Sequence, residues 1–175
     1  NEYYGSEEEY LQAVGDALRT EYQAIVSAGF ILQVDDPWLT EVYGDASLSP
    51  AERRRIGERS VEALNHALRG IPAEKIRFHT CYGINEGPRV NDASLKDIVD
   101  LILKVKAGAY SFEAANPRHE HEYHVWETVK LPEGKVIINT GMMLEVLSNG
   151  VIPPGIHRVV ADPTYVGERY SVVQF

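Results

Sequence analysis

Apolar residues recur at helical spacing in three stretches of the chain. In the first stretch they fall every three or four positions, with Ser6 placed to cap the helix, Glu9 to complete a capping box, and Gly29 to end it. In the second stretch, Ser49 precedes a proline, a combination typical of a helix start. The predicted helices cover residues 6–28, residues 50–69, and a third segment from Asp92 or Ser94 to about Lys106.

Short apolar runs lie between these helices and have the length of strands. The first run ends in Asp35-Asp36-Pro37, and its compact apolar composition favours a buried parallel strand. The later runs resemble it, with the chemically capable residues at the carboxyl end of each. The predicted strands are residues 30–34, 75–81, 109–114 and 135–139.

The alternation of helix and strand over residues 6–140 predicts an α/β fold with a parallel sheet. We expect a partial (β/α)8 TIM-type barrel of about four βα units, since a complete barrel needs about 250 residues. In such barrels the active site lies at the carboxyl ends of the strands. The candidate site residues at those ends are Asp35, His79, Cys81 and Glu113.

The pattern changes after Asn139. Turn signals follow one another there, with strand-type runs between them, which predicts a short C-terminal antiparallel β segment. We therefore expect two parts, residues 1–138 and residues 139–175.

Composition and charge narrow the function classes. The 175 residues are 44% hydrophobic and 25% charged, as in ordinary globular proteins. The formal charge of −9 argues against a nucleic-acid partner. No apolar run is long enough to span a bilayer, and no secretory signal is visible. The single Cys81 excludes a disulfide scaffold, so we expect a reducing, cytoplasmic setting.

The spacing of His79 and Cys81 is compatible with a metal site. Side chains two residues apart on a strand point to the same side, and zinc prefers imidazole and thiolate ligands. Glu113 from the next strand would add a carboxylate. On spacing alone the signal is weak. A lone cysteine is usually a small buried hydrophobe, and His79 two residues earlier is what favours a metal ligand at Cys81.

Three motifs occur in an order similar to that of the cobalamin-independent methionine synthases. Residues 32–37 (LQVDDP), 79–83 (HTCYG) and 110–121 (YSFEAANPRHEH) resemble the C-terminal catalytic barrel of that family, especially its shorter bacterial and archaeal-type homologues. The resemblance covers roughly residues 3–137. It implies a zinc-dependent transferase that moves a methyl group from a methyltetrahydrofolate-type donor to a thiol such as homocysteine, in methionine biosynthesis.

The same resemblance assigns roles to four residues. His79, Cys81 and Glu113 match zinc ligands, and Asp35 matches the carboxylate that holds the amino group of homocysteine. Zinc would deprotonate the substrate thiol and so make it a nucleophile. The sequence departs from the family because it has no second cysteine as a fourth ligand.

The tail is similar to another family. Residues 136–150, 157–160 and 169–171 resemble the C-terminal part of 2-oxoglutarate/iron oxygenases of the isopenicillin N synthase type. That resemblance implies an iron ligand at His157 and a 2-oxoglutarate carboxylate contact at Arg169 and Ser171. The upstream His-x-Asp of the facial triad is absent from the chain.

Three functional hypotheses therefore stand together. The first is the zinc-dependent methyltransferase, the second an oxygenase remnant using iron and 2-oxoglutarate, and the third a truncated or fused product that only binds a metal or ligand. A sheet edge left open would favour a homo-oligomer. The histidines at 119, 121 and 124 suggest either a solvated charged loop or a second metal site, and both tryptophans, Trp38 and Trp126, are interpreted as packing residues.

Overall fold

The computed structural model describes residues 3–83, 90–113 and 118–130. Within these ranges the chain forms five α-helices and three strands. In chain order they are α1 (Glu7–Ser27), β1 (Leu32–Asp35), α2 (Trp38–Gly44), α3 (Pro50–Ala67), β2 (Ile76–Thr80), α4 (Leu95–Ile102), β3 (Ala109–Phe112) and α5 (Val125–Thr128). Two 3₁₀ turns, Ala73–Lys75 and Glu120–His124, precede β2 and α5.

The strands form one parallel sheet in the order β1-β2-β3. Leu32 is the register partner of Ile76, and Arg77 is that of Ala109. Because neighbouring strands run in the same direction, their carboxyl ends meet at one edge of the sheet. The prediction of a parallel sheet is confirmed for these three strands.

The prediction of a partial barrel of about four βα units is wrong. The described residues form a small α/β unit with three parallel strands instead. Helix–strand alternation specifies parallel neighbours, but a barrel also needs enough strands, tilted and staggered, to close the sheet on itself. The expected fourth strand at 135–139 and the antiparallel segment at 139–175 lie outside the described residues.

Capping interactions set the starts of the two long helices. The Ser6 hydroxyl accepts a hydrogen bond from the Glu9 N–H at 3.1 Å, as predicted, but the Glu9 carboxylate bonds to the Gly5 N–H rather than to that of Ser6. Ser49 and Glu52 form a complete capping box at the start of α3. Gly29 ends α1 with a φ of 90°, a conformation that favours glycine.

Helices α1 and α3 pack closely against each other. Gly15 is buried on α1, and a Cβ at that position would stand 3.1 Å from the His66 ring. The contact is flanked by ion pairs from Asp16 to Arg69 at 2.6 Å and from Glu7 to Arg59 at 2.9 Å. These pairs are exposed and contribute little individually, so the close approach of the two backbones determines how the helices dock.

Helix α4 supplies most of the core beneath the sheet. Five of its residues are buried, and Ile98, Leu101 and Ile102 are fully so. They pack with Phe78 and Tyr110, which project from the sheet. Each such side chain contributes roughly 1.5–3 kcal/mol of burial free energy.

Strand β1 is shorter and less buried than its sequence predicts. It begins at Leu32, while Phe30 and Ile31 are about two-thirds exposed. Leu32 and Val34 are buried, but Gln33 and Asp35 are exposed, so one face of β1 is uncovered within the described residues. No helix in this part of the chain is long and apolar enough to cross a bilayer.

Candidate functional site

The parallel register brings the predicted site residues to one edge of the sheet. Asp35 at the end of β1 is the Cα partner of His79 on β2, and His79 in turn is the partner of Ser111 on β3. Cys81 directly follows β2, and Glu113 directly follows β3. The carboxyl edge of the sheet therefore carries all four candidates.

The carboxylate of Asp35 is exposed at this edge. Its Oδ1 accepts a hydrogen bond from Gln33 Nε2 at 2.7 Å. Because both residues lie on the uncovered face of β1, the carboxylate is free to accept further donors from solution.

The imidazole of His79 is half-buried, and its Nδ1 lies 3.1 Å from the Ser111 hydroxyl. Ser111 was not singled out from the sequence, because its role appears only when the register of β2 and β3 is known. This contact engages Nδ1 and orients the imidazole ring, whose other nitrogen is Nε2.

Buried hydrogen bonds fix the backbone around Cys81. The hydroxyl of Thr40, a buried side chain on α2, donates to the Cys81 carbonyl at 2.7 Å. The Thr80 hydroxyl donates to the Asp36 carbonyl at 2.9 Å, and the Asp36 N–H donates to the His79 carbonyl at 2.8 Å. The free Cys81 thiol is half-buried on this rigid support.

The carboxylate of Asp36 lies at the start of α2. Its Oδ1 accepts a hydrogen bond from the Leu39 N–H at 3.2 Å. Burial raises the pKa of Asp36, and hydrogen bonds from the Leu39 and Trp38 backbone oppose that rise in pKa. Asp36 thus acts on the helix start, whereas Asp35 faces solvent.

Glu113 bonds to the segment that follows β2. Its Oε2 accepts the Tyr82 N–H at 2.8 Å, and its own N–H donates to the Thr80 carbonyl at 3.2 Å. The side chains of His79, Cys81 and Glu113 all belong to the described residues, yet no group of three His, Cys, Asp or Glu side chains there could hold a metal ion. The edge gathers the predicted ligands without assembling them into a metal site.

A second polar group lies next to this edge, and the sequence did not predict it. We call Asp92, Arg118, His119 and Glu122 the His119 cluster. His119 is only 3% exposed, with Nδ1 2.9 Å from Glu122 Oε2 and Nε2 3.0 Å from Asp92 Oδ2. Arg118 pairs with Asp92 at 2.7 Å.

The His119 cluster is joined to Tyr82. The Tyr82 ring stacks on His119 with centroids 3.4 Å apart and planes 8° apart, and its hydroxyl donates to Glu122 at 3.0 Å. Burial, together with the nearby Glu122 carboxylate, raises the pKa of Tyr82, so its hydroxyl stays protonated and donates. The interpretation of the 119–124 segment as a solvated loop is therefore wrong for His119.

The other singled-out residues are dispersed. His121 is exposed, and His124 bonds to Glu127 at 2.7 Å on the surface. Trp38 is 62% exposed, so its interpretation as a packing residue is wrong, while Trp126 packs edge-on against Phe112. His157, Arg169 and Ser171, the oxygenase-type candidates, lie outside the described residues.

Comparison with known proteins identifies no family for the chain. No protein-family model matches it. It is similar to azadirone synthase LFS from Melia azedarach, with 43% identity over 54 residues. That match covers 31% of this chain and 15% of the length of the synthase. The similarity is too partial to assign the synthase's activity to this protein.

Proposed function

We propose that the carboxyl edge of the sheet binds a thiol-bearing amino acid such as homocysteine. We further propose that the protein acts in the manner of the methyltransferases that transfer a methyl group from a methyltetrahydrofolate-type donor to that thiol. The register of β1, β2 and β3 carries the proposal, since it places Asp35, His79, Cys81 and Glu113 along one edge.

Asp35 is the residue proposed to bind the ligand's ammonium group. Its exposed carboxylate lies at the strand end, already oriented by Gln33. A charge-assisted hydrogen bond to a carboxylate is stronger than a neutral one. An amino acid bound through its ammonium group at β1 would extend its thiol along the edge toward the neighbouring strands.

Zinc would activate a thiol by deprotonating it, and the family resemblance implies His79, Cys81 and Glu113 as its ligands. The described arrangement does not fit that ion, because these side chains do not form a three-ligand group. His79 Nδ1 is also engaged with Ser111, and Glu113 Oε2 with Tyr82. We therefore derive no catalytic step through zinc, and zinc binding stays a prediction.

Isothermal titration calorimetry with L-homocysteine tests the proposal directly. The matched ligand is 4-mercaptobutyrate, which keeps the thiol and carboxylate but lacks the ammonium group. Homocysteine should bind, and 4-mercaptobutyrate should bind much more weakly. Equal binding of the two would remove the role of Asp35, and binding of neither would reject the proposal. Methionine formation from methyltetrahydrofolate then measures turnover.

We also propose that the protein works in a reducing, cytoplasmic setting, because the sequence has a single cysteine.

A further inference from the structure

We infer that Tyr82, held in place by the His119 cluster, is a positioning residue for the Glu113 carboxylate. The inference rests on the proposed function only in that Glu113 belongs to the ligand-binding edge. Nothing in the family resemblance assigns a role to Tyr82, Asp92 or Glu122. Their role follows from contacts that join the edge to the buried cluster.

Tyr82 bridges the two groups through opposite parts of the residue. Its backbone N–H donates to Glu113 Oε2 at 2.8 Å. Its side chain is buried, stacked on His119 and hydrogen-bonded to Glu122. A residue fixed by both its ring and its hydroxyl presents its N–H in one direction, so the carboxylate that accepts this N–H is fixed as well.

The cluster itself is anchored on α4. The two oxygens of Glu122 have separate partners: Oε1 accepts the Leu95 N–H at 2.8 Å, and Oε2 faces His119 and Tyr82. Leu95 is the first residue of α4, whose apolar face fills the core. Through Glu122, the cluster therefore connects the first residue of a core helix to Tyr82.

The polar contacts of the cluster converge on His119. Both ring nitrogens lie within hydrogen-bond distance of a carboxylate oxygen, Nδ1 at 2.9 Å from Glu122 and Nε2 at 3.0 Å from Asp92. Arg118 pairs with the same Asp92 oxygen at 2.7 Å. Hydrogen-bonded side-chain networks of this kind rigidify the segments that they join.

A buried ion pair is by itself weak evidence for a stabilising role. Well-packed apolar residues of similar volume are often as stabilising as a buried ion pair, or more so, because desolvation offsets the attraction. Polar groups that hold a neighbouring functional carboxylate have a second role, as in metal and ligand sites whose supporting partners are hydrogen-bonded. The position of Tyr82 between the cluster and Glu113 corresponds to that role.

The test uses Glu122→Gln and Tyr82→Phe in the full chain. Tyr82→Phe removes the hydroxyl that donates to Glu122, and Glu122→Gln replaces the carboxylate that accepts this hydrogen bond. Both substitutions keep the size of the side chain. The matched controls are Glu127→Gln and Tyr123→Phe, which change exposed residues of the same segment. Val61→Ala, a buried position on α3, serves as a control that lowers stability away from Tyr82.

Two readouts separate positioning from stability. The first is the amide resonance of Tyr82 in ¹H–¹⁵N spectra, with Glu113→Gln marking the shift when its acceptor changes. The second is the affinity for L-homocysteine, measured well below the unfolding midpoint. We expect Glu122→Gln to move the Tyr82 amide and to weaken homocysteine binding by about fivefold, which corresponds to the net contribution of one hydrogen bond. Tyr82→Phe should have a smaller effect, and the controls should have none.

The outcomes are distinguishable. Variants that lower the unfolding midpoint as Val61→Ala does, while leaving the Tyr82 amide unchanged, would overturn the inference. A wild-type protein that does not bind homocysteine would reject the proposed function. The Tyr82 amide would then still decide the inference, because its shift in Glu122→Gln reports on the Glu113 contact without any ligand.

Discussion

Asp35 and His79 are register partners on neighbouring parallel strands, so a carboxylate and an imidazole lie side by side at one edge of the sheet. Replacing Asp35 by Asn keeps the Gln33 contact geometry but removes the charge. We expect homocysteine affinity to fall by about tenfold, the lower range for a charged hydrogen bond at an exposed site. Calorimetry on Asp35→Asn measures the loss.

Asp97→Asn is the matched control, since it removes one exposed carboxylate from the first turn of α4. Its homocysteine affinity should equal that of the wild type. Similar losses in both variants would show a general effect of net charge and would contradict the assigned role of Asp35.

Zinc binding at the candidate ligands is expected to be weak rather than absent. Because the candidate ligands do not form a three-ligand group in the described chain, we expect the wild type to bind added zinc weakly and release it to a chelator. Cys81→Ala and His79→Ala should each abolish that binding, as followed by zinc titration and elemental analysis.

His66→Ala is the control, because His66 pairs with Asp16 between α1 and α3, away from the candidate ligands. Unchanged zinc binding in Cys81→Ala would contradict the candidate site. Iron in the protein purified without added metal would favour the oxygenase hypothesis. A wild type that takes up neither added zinc nor added iron would favour the product that only binds a ligand.

The raised pKa of Asp36 predicts that the free energy of unfolding depends on pH. Its folded pKa is raised above 3.8 by burial, so the folded state keeps the proton after the unfolded state has lost it. Relative to Asp36→Asn, the wild type should lose free energy of unfolding as the pH rises from below 3.8 through the raised folded pKa. Urea unfolding of both proteins at pH 4 and pH 7 measures the difference.

The asparagine variant is informative because its side-chain oxygen can still accept the Leu39 N–H. Carboxylates with lowered pKa, such as Asp16 and Asp45, act in the opposite direction but are common to both proteins. A difference between the two proteins that does not change with pH would show that Asp36 ionises alike in the folded and unfolded states.

Gly108 is restricted by a close backbone contact. A Cβ there would stand 2.4 Å from the Ala73 carbonyl oxygen and 2.8 Å from the Glu74 Cα. Since backbone atoms cannot easily yield, Gly108→Ala should destabilise the fold by about 2–3 kcal/mol. Thermal unfolding measures the change, and Gly5→Ala, which would meet only the flexible Glu9 side chain, should change little. A neutral Gly108→Ala would mean that β3 docks differently.

Local sequence signals predicted much of the fold. Caps at Ser6 and Ser49 and the positive φ of Gly29 located the starts of α1 and α3 and the end of α1, because these depend on neighbouring residues. Helix α2 was missed, since it is seven residues long and has no side-chain cap at Pro37. The prediction of a partial barrel was wrong because closure of a barrel depends on the whole sheet and is not encoded in any single βα unit.

The candidate site was predictable only in part. The positions of Asp35, His79, Cys81 and Glu113 at strand ends followed from the alternation of elements. The partners Ser111 and Tyr82 depend on strand register, and the pairing of His119 with Asp92 joins residues 27 positions apart in the chain. No periodic pattern predicts such contacts, since they arise from tertiary packing.

The hydrogen bond from Thr80 to Asp36 joins residues 44 positions apart, and the contact between His79 and Ser111 joins residues 32 positions apart. Each parallel pairing therefore requires closing a long loop before any ladder bond forms, an entropic cost that grows with loop length. The helices between the strands form from local contacts and shorten these loops. Refolding should begin in α1 and α3, and assembly of the sheet should set its rate.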